Sequence, residues 1–484
     1  MKKVAIIWLR HDLRFHDNPA IQTALAEGYA VLPIYIDDTD MPAQEKLGGA
    51  RRWWLHYALK DLSHTLFSHH LKLVLRKGSA LKILQQISQD IAADAIFTTR
   101  PLSPYDKDII QKLSLFCDKQ NLTLKQTSGQ LLLDDPAIFL NKSGQPYKVF
   151  TPFWKALLQQ FSHSAPSVTK TTPKVSAIED FSLVKTDNLE SWALLPTTPN
   201  WAKYFSYIWN PTEAAAHDRL KDFISGNLPH YQHQRDIPAS DSTSALSPWL
   251  ACGQISPRRI WADMQHHMDQ HPDQANATMA YLRQLAWRDF SYYLLHHFPH
   301  MPTRALNNRF NHFPWDHNPD ALHKWQQGQT GYPFIDAAMR QLWQTGTTPN
   351  RLRMVTASFL TKNLRIDWRL GERWFWDTLV DADIANNTAG WQWVAGSGAD
   401  AAPYFRIFNP LRQSEKFDPE GNYIRQWLPE LAALPNNHLH APWAAPASVL
   451  QQAQVVIGGN YPAPLIDHGT TRNAALAAYH SLPK

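Results

Sequence analysis

The chain has 484 residues, length for about three domains, two large ones being equally ordinary. Hydrophobic residues make up 44% of it, so sizeable cores can form, and the formal charge of +5 permits nucleic-acid binding without arguing for it. Its only cysteines, Cys117 and Cys252, exclude a disulfide framework and any four-cysteine zinc or iron–sulfur site, and suit a reducing, cytoplasmic setting.

Residues 1–130 alternate short apolar runs with helical patterns. "VAIIWL", "AVLPIYI", "LKLVLR" and "DAIFTT" read as buried parallel strands. "ARRWWLHYALKDLSHTL" and "ALKILQQISQDIAA" read as helices between them. The expected fold is an α/β, doubly wound parallel sheet domain. No GxGxxG follows its first strand, so the usual dinucleotide fingerprint is missing. The N-terminal apolar run is cut by Arg10, His11 and Asp12, which reads as a strand and not as a signal peptide. No run of about 18 apolar residues is present, so no membrane partner is expected.

Residues 131–200 form a connector, with "HSAPSVTKTTPKVSAIED" rich in Ser, Thr and Pro. From 201 to 484 strand signals nearly vanish. "SPRRIWADMQHHM", "ATMAYLRQLAWRDFSYYLLHHF", "YPFIDAAMRQLW" and "RLRMVTASFLTKNL" place apolar residues at helical spacing, and an all-α second domain is expected. His267 and His271 stand at i, i+4 with no third ligand nearby, so no metal is assigned. Hydrolase signatures and the phosphate-binding P-loop are absent.

Four segments carry candidate chemistry. "TSALSPWLACGQISPRR" offers hydroxyl and backbone donors ahead of a helical stretch, a setting for a phosphate anion, although such residues cap most helices. "QLAWRDF" sets Trp287 beside Arg288, which suits base stacking plus phosphate contact and equally suits a surface pair. In "PNRLRM", Arg351 and Arg353 point about 200° apart on a helix, one inward to an acid and the other outward. The fourth is "DADIANNTAGWQWVAGSGADAAPYFRIFNP", where the same geometry puts Trp391 and Trp393 on different faces.

In order and spacing these segments, with "WLRHDLRFHDNPA", "YKVFTPFWKAL" and "GYPFIDAAMRQL", resemble the photolyase/cryptochrome family, particularly its bacterial photolyases of cyclobutane pyrimidine dimers. The resemblance covers nearly the whole chain. It implies an all-α C-terminal FAD-binding domain and blue-light-driven repair of such dimers in DNA, by electron transfer from the excited reduced flavin. It also implies a monomer and often an antenna chromophore, a folate or a deazaflavin, in the N-terminal domain.

Carried over by position, Tyr231, Thr243, Ser244, Leu246 and Ser247 would hold the FAD phosphates and ribityl chain. Asp381 and Asp383 would meet the isoalloxazine edge, with Arg353 paired to Asp381. Asn387 would face flavin N5, where a neutral amide serves both protonation states by flipping; plant cryptochromes have an aspartate there, so Asn387 favours repair. Gln284, Arg288 and Asn350 would touch cofactor and DNA alike. Trp391, Trp368 and Trp315 match the family's chain of electron donors. Trp287 and Trp393 would wall the lesion pocket, with Arg351, Met354 and Arg406 contacting the lesion or its backbone.

Three places depart from the family pattern. Ala245 replaces an arginine, Gln284 a glutamate, and Thr347, Thr348 and Pro349 a Trp-Met-His run. Gln284 also occurs in branches that repair the six-four photoproduct, although the histidine pair of animal-type six-four enzymes is missing. A cryptochrome-like photoreceptor and a six-four photolyase are therefore the alternative readings. Near "TTRPLSPYDKDII" the family often has a Tyr-Glu-Pro-like stretch whose acid contacts a folate; Ser103 and Pro104 stand there, and the antenna stays unassigned.

Overall fold

The computed structural model describes residues 2–166, 168, 175–178, 184–401 and 405–483. Much of the Ser/Thr/Pro-rich connector reading, and part of the segment after Trp393, lie outside the described residues. Backbone proximity divides the chain into two compact units. One comprises Met1–Asn200, Trp209–Pro229 and Ser244–Pro299; the other comprises Trp201–Ile208, His230–Thr243 and His300–Lys484.

The first unit holds the parallel sheet. Strands β1 (Val4–Leu9), β2 (Ala30–Asp38), β3 (Val74–Gly78), β4 (Ala95–Thr99) and β5 (Thr123–Thr127) are arranged in the order β3-β2-β1-β4-β5. Helices α1 (Pro19–Ala26), α2 (Gly49–Ser68), α3 (Ala80–Asp90) and α4 (Pro104–Gln120) make the crossovers. Ile6 pairs with Leu32 on one side and Ile96 on the other. The central strands read as unbroken apolar runs because helices cover both faces of such a sheet. Ile6, Leu32, Ile34 and Ile96 join Ile109 and Leu113 in one buried cluster. β5, "TLKQT", is an edge strand whose residues are half-buried or exposed, and it carried no apolar signal in the sequence.

Helix starts follow local chemistry. The Asn18 side chain accepts from the backbone of Ala20 and Ile21 to open α1. Ser103 and Asp106 form a reciprocal cap at the start of α4. This unit also holds α5 (Phe150–His163) and the helix Ala275–His297.

The second unit has no named strand among its described residues. Its core gathers Trp325, Phe334, Leu342, Leu352, Leu360, Trp368, Phe375 and Trp391. The helices Asn350–Ser358, Trp368–Thr378 and Ile384–Ala395 supply most of the candidate chemistry. Asp367 caps the second of these by accepting from the Arg369 amide at 3.0 Å, and Asp383 caps the third by accepting from the Asn386 amide at 2.9 Å.

Candidate flavin and DNA site

In the second unit the helix Ile384–Ala395 sets Asn387 and Trp391 one turn apart, on one face. The neighbouring helix Trp368–Thr378 approaches that face closely. At Gly371 an added Cβ would lie 2.1 Å from Trp391 Cη2 and 2.5 Å from Leu360 Cδ2, so only glycine lets the helices meet here. Trp391 is buried, edge-on to Phe375 at 5.0 Å and to Trp325 at 6.1 Å. Trp393 is half-buried and donates its Nε1 to the Asp400 carbonyl at 3.0 Å. The two tryptophans thus sit in different surroundings, as residues two apart on a helix must.

Glu372 follows Gly371 and fixes the next turn. Its backbone carbonyl accepts from Asn387 Nδ2 at 3.0 Å, and its carboxylate accepts from the Thr388 hydroxyl. Burial pushes the Glu372 carboxyl up to about 7, against the lowering pull of Thr388 and of Arg369 and Arg373. The flipping amide expected from the sequence would have to break this Asn387 bond. Turning the side chain over would lose that bond and set two carbonyl oxygens together, so Asn387 is held in one orientation with Oδ1 as its free acceptor.

Arg353 Nη2 donates to both carboxylate oxygens of Asp381, at 3.1 and 2.9 Å, with Asp381 almost fully buried. Arg353 also donates to the Thr348 carbonyl at 2.9 Å and to the Thr347 hydroxyl at 3.5 Å. The residues that replace the family's Trp-Met-His therefore serve as acceptors for this arginine. Pro349 precedes the helix Asn350–Ser358 directly, in the cap position. Arg351 departs from expectation: instead of reaching outward alone, it pairs with Asp236 at 2.8 Å and lies 4.4 Å from the Phe417 ring centroid. An aspartate from a distant stretch of sequence has captured it.

Asn350 is exposed and donates to Met354 Sδ at 3.7 Å. Arg406 is exposed, and its backbone carbonyl accepts from the buried Lys362 at 3.0 Å. Tyr231 is buried under Arg235, and burial pushes its phenol up, so it stays a neutral hydroxyl. Neighbouring Ser242 has a buried Oγ with no hydrogen-bond partner among the described residues. Thr243 is half-buried. The three tryptophans run from buried Trp391 and Trp368 to half-buried Trp315, whose ring lies 4.4 Å from that of Phe313.

In the first unit, Ser244 Oγ accepts from the Tyr281 hydroxyl at 3.0 Å, and its carbonyl accepts from Arg219 at 3.0 Å. Ala245, where the family has arginine, adopts a left-handed φ of 50°, which costs a residue with a Cβ about 1 kcal/mol or more. Leu246 is buried, and Ser247 is exposed at the start of the short helix Ser247–Cys252. Trp287 stacks on Phe150 with centroids 3.8 Å apart and planes at 9°. Gln284 lies one turn before Arg288 on the same helix, half-buried. Arg288 donates to the Gln130 carbonyl at 2.9 Å and faces the Tyr292 ring, leaving its buried Nε unbonded among the described residues. It is a packed interior arginine more than a free cation.

Sequence reasoning missed Gly371, Glu372, Asp236 and Phe150. For the first two a signal existed: with Trp368 and Phe375 they occupy i, i+3, i+4 and i+7 of one helical face. Asp236 and Phe150 had none, since each meets its partner only through the tertiary fold.

The donor set fits a flavin in chemical kind, with buried carboxylates, an oriented amide acceptor, a neutral phenol and an unbonded buried hydroxyl. Two family models match the chain, that of DNA photolyase over residues 5–173 and that of the FAD binding domain of DNA photolyase over residues 281–481. The chain is 45% identical to the deoxyribodipyrimidine photo-lyase of Agrobacterium fabrum, over 99% of this chain and 98% of that protein. It is 35% identical to cryptochrome-2 of Arabidopsis thaliana, over 98% of this chain and 78% of that protein. Its fold superposes on the crystal structure of a bacterial class III photolyase from Agrobacterium tumefaciens with a TM-score of 0.93 and 44% identity, covering 99% of this chain and 98% of the other. The chain belongs to the DNA photolyase/cryptochrome family and carries its FAD-binding domain.

Proposed function

We propose that this protein is a blue-light-driven, FAD-dependent lyase that repairs cyclobutane pyrimidine dimers in DNA. The observation that carries the reading is the shared face of Asn387 and Trp391, an amide locked as acceptor one turn from a buried, oxidisable ring. When bound, the flavin supplies light-driven one-electron chemistry, which needs no general acid or base and agrees with the missing hydrolase signatures. The protein's part is to bind, orient and exclude water.

On this reading Tyr231, Thr243, Ser244, Leu246 and Ser247 hold the phosphates and ribityl chain, and Asp381 and Asp383 meet the polar edge of the isoalloxazine. Asp381 remains a carboxylate there because Arg353 offsets the cost of burying its charge. Asn387 offers Oδ1 to a protonated ring nitrogen. Trp391, Trp368 and Trp315 relay electrons inward from the surface. Trp287, Trp393, Met354 and Gln284 receive the extruded dimer, whose weak stacking and pairing make extrusion cheaper than for normal bases. Asn350, Arg351 and Arg406 contact the lesion or its backbone. The protein acts as a cytoplasmic monomer, consistent with two buried free cysteines and with no described helix long and apolar enough to cross a membrane.

An antenna chromophore suits the carboxyl ends of β1 and β4, where the strand order reverses. There Arg10 pairs with Asp106 at 2.7 Å, and the buried Thr99 hydroxyl has no partner among the described residues. Ser103 is engaged as a helix cap in place of the acid that contacts a folate in the family. A photoreceptor role is the second reading, favoured by Thr347–Pro349 in place of the Trp-Met-His run. The experiment is illumination of the flavin-loaded protein with oligonucleotides bearing each lesion: recovery of thymine absorbance from the cyclobutane dimer supports the proposal, and recovery only from the six-four photoproduct, or from neither, refutes it.

A further inference from the structure

The capture of Arg351 by Asp236 has a function of its own. We propose that Asp236 is a counter-ion that makes a DNA phosphate compete for Arg351 and so holds down backbone binding, that of undamaged duplex included. The inference rests on the reading above that Arg351 meets the DNA backbone.

Arg351 and Arg353 stand two residues apart and are paired in different ways. Arg353 grips the buried Asp381 through two contacts. Arg351 makes one contact with Asp236, at 2.8 Å, and the side chains are 19% and 31% exposed. Its guanidinium lies against the Phe417 ring, and its Nε is buried with no hydrogen-bond partner among the described residues. The plane of the guanidinium is therefore set by the protein, and its accessible edge is occupied by a carboxylate that solvent also reaches. A partly exposed single-contact pair of this kind is held weakly, because water screens it and two long side chains must be ordered to make it. A phosphate can displace it without unfolding anything.

Undamaged duplex is held by the phosphate term alone, and each phosphate neutralised contributes about −0.9 to the slope of log affinity against log salt. With Asp236 in place, Arg351 offers any DNA a neutral pair in place of a free cation, and the cost of displacement falls on damaged and undamaged duplex alike. DNA bearing a lesion gains base and pocket contacts as well, so it stays bound while the backbone-only binding of undamaged duplex drops.

The test uses the full-length, flavin-loaded protein and two duplexes of one sequence, undamaged or carrying a single cyclobutane dimer, with binding measured across a series of salt concentrations. Asp236→Asn keeps the shape and removes the charge. It should tighten undamaged-duplex binding several-fold and steepen its salt slope by about one. The damaged duplex, which bears the same displacement cost, should tighten by at least as large a factor. Asp236→Ser should behave alike, which covers poor folding of either variant. Unchanged affinity and slope for undamaged DNA, or weaker binding of both duplexes, would overturn the proposal, the second result marking Asp236 as a prop for Arg351. Arg351→Ala tests the underlying reading separately: it should make the damaged-duplex slope shallower by about one, and an unchanged slope would remove Arg351 from the phosphate contacts and the proposal with it.

Discussion

Gly371→Ala tests how tightly the electron-donor face is built. The added carbon would lie 2.1 Å from Trp391 Cη2 and 2.5 Å from both Trp391 Cζ3 and Leu360 Cδ2. Carbon atoms pack at about 3.5 Å or more, so the indole must retreat by over about 1 Å. It has nowhere to go: Trp391 is 3% exposed and is faced by Phe375 and Trp325. Overpacking of this kind costs about 1–3 kcal/mol, partly offset by the roughly 1 kcal/mol that alanine gains over glycine inside a helix. The expected net loss is about 0–2 kcal/mol in denaturant unfolding, with the flavin retained. With Trp391 read as the electron donor next to the flavin, its displacement should slow photoreduction measurably. Gly390→Ala is the control, because its Cβ would meet nothing within 4 Å on the exposed side of the adjoining helix. The reasoning is refuted if Gly371→Ala matches the unaltered protein in stability and photoreduction, or if Gly390→Ala is equally damaging.

Trp391→Phe should abolish photoreduction, measured by flavin absorbance under blue light, while chemically pre-reduced protein keeps most of its repair. Surviving photoreduction would take Trp391 out of the chain. Arg353→Ala should destabilise the fold by about 3 kcal/mol in urea, because it strands the buried Asp381 carboxylate, and Arg353→Lys should recover only part of this. Glu372→Gln should change how stability depends on pH. The folded carboxyl is raised to about 7 from an ordinary value of 4.5, so the folded state holds the extra proton between those values and stability falls as pH rises through them. The amide removes that slope, giving a gain near zero below pH 4 and roughly 1–3 kcal/mol at pH 8. Parallel profiles for the two proteins would show that Glu372 is not held neutral.

The sheet was legible because the inner strands β1, β2 and β4 are buried on both faces and leave apolar runs, and because the edge strand β3 still carries a buried Val74–Leu75 start. β5 was not, because an edge strand half in water needs no apolar code. The helical part followed from its periodicity, whereas the candidate site residues were singled out only by a family resemblance, since Asn387 or Asp381 would otherwise read as ordinary polar residues. Partnerships that depend on tertiary contact stayed hidden. Arg353 with Asp381 came from the resemblance, whereas Arg351 with Asp236 joins residues 115 positions apart and overturned the outward arginine. Ala245 and Thr347 to Pro349 showed as departures in the sequence. Only the fold revealed that the threonines of that run serve Arg353.

The most direct test of the central claim is repair itself. Purified protein with its flavin chemically reduced is mixed with an oligonucleotide carrying one cyclobutane thymine dimer, and absorbance of the restored thymines is followed in blue light and in darkness. The account predicts recovery in light and none in darkness, with an undiminished rate over repeated turnovers. A protein that photoreduces its flavin normally yet restores no thymine would contradict it and identify a photoreceptor.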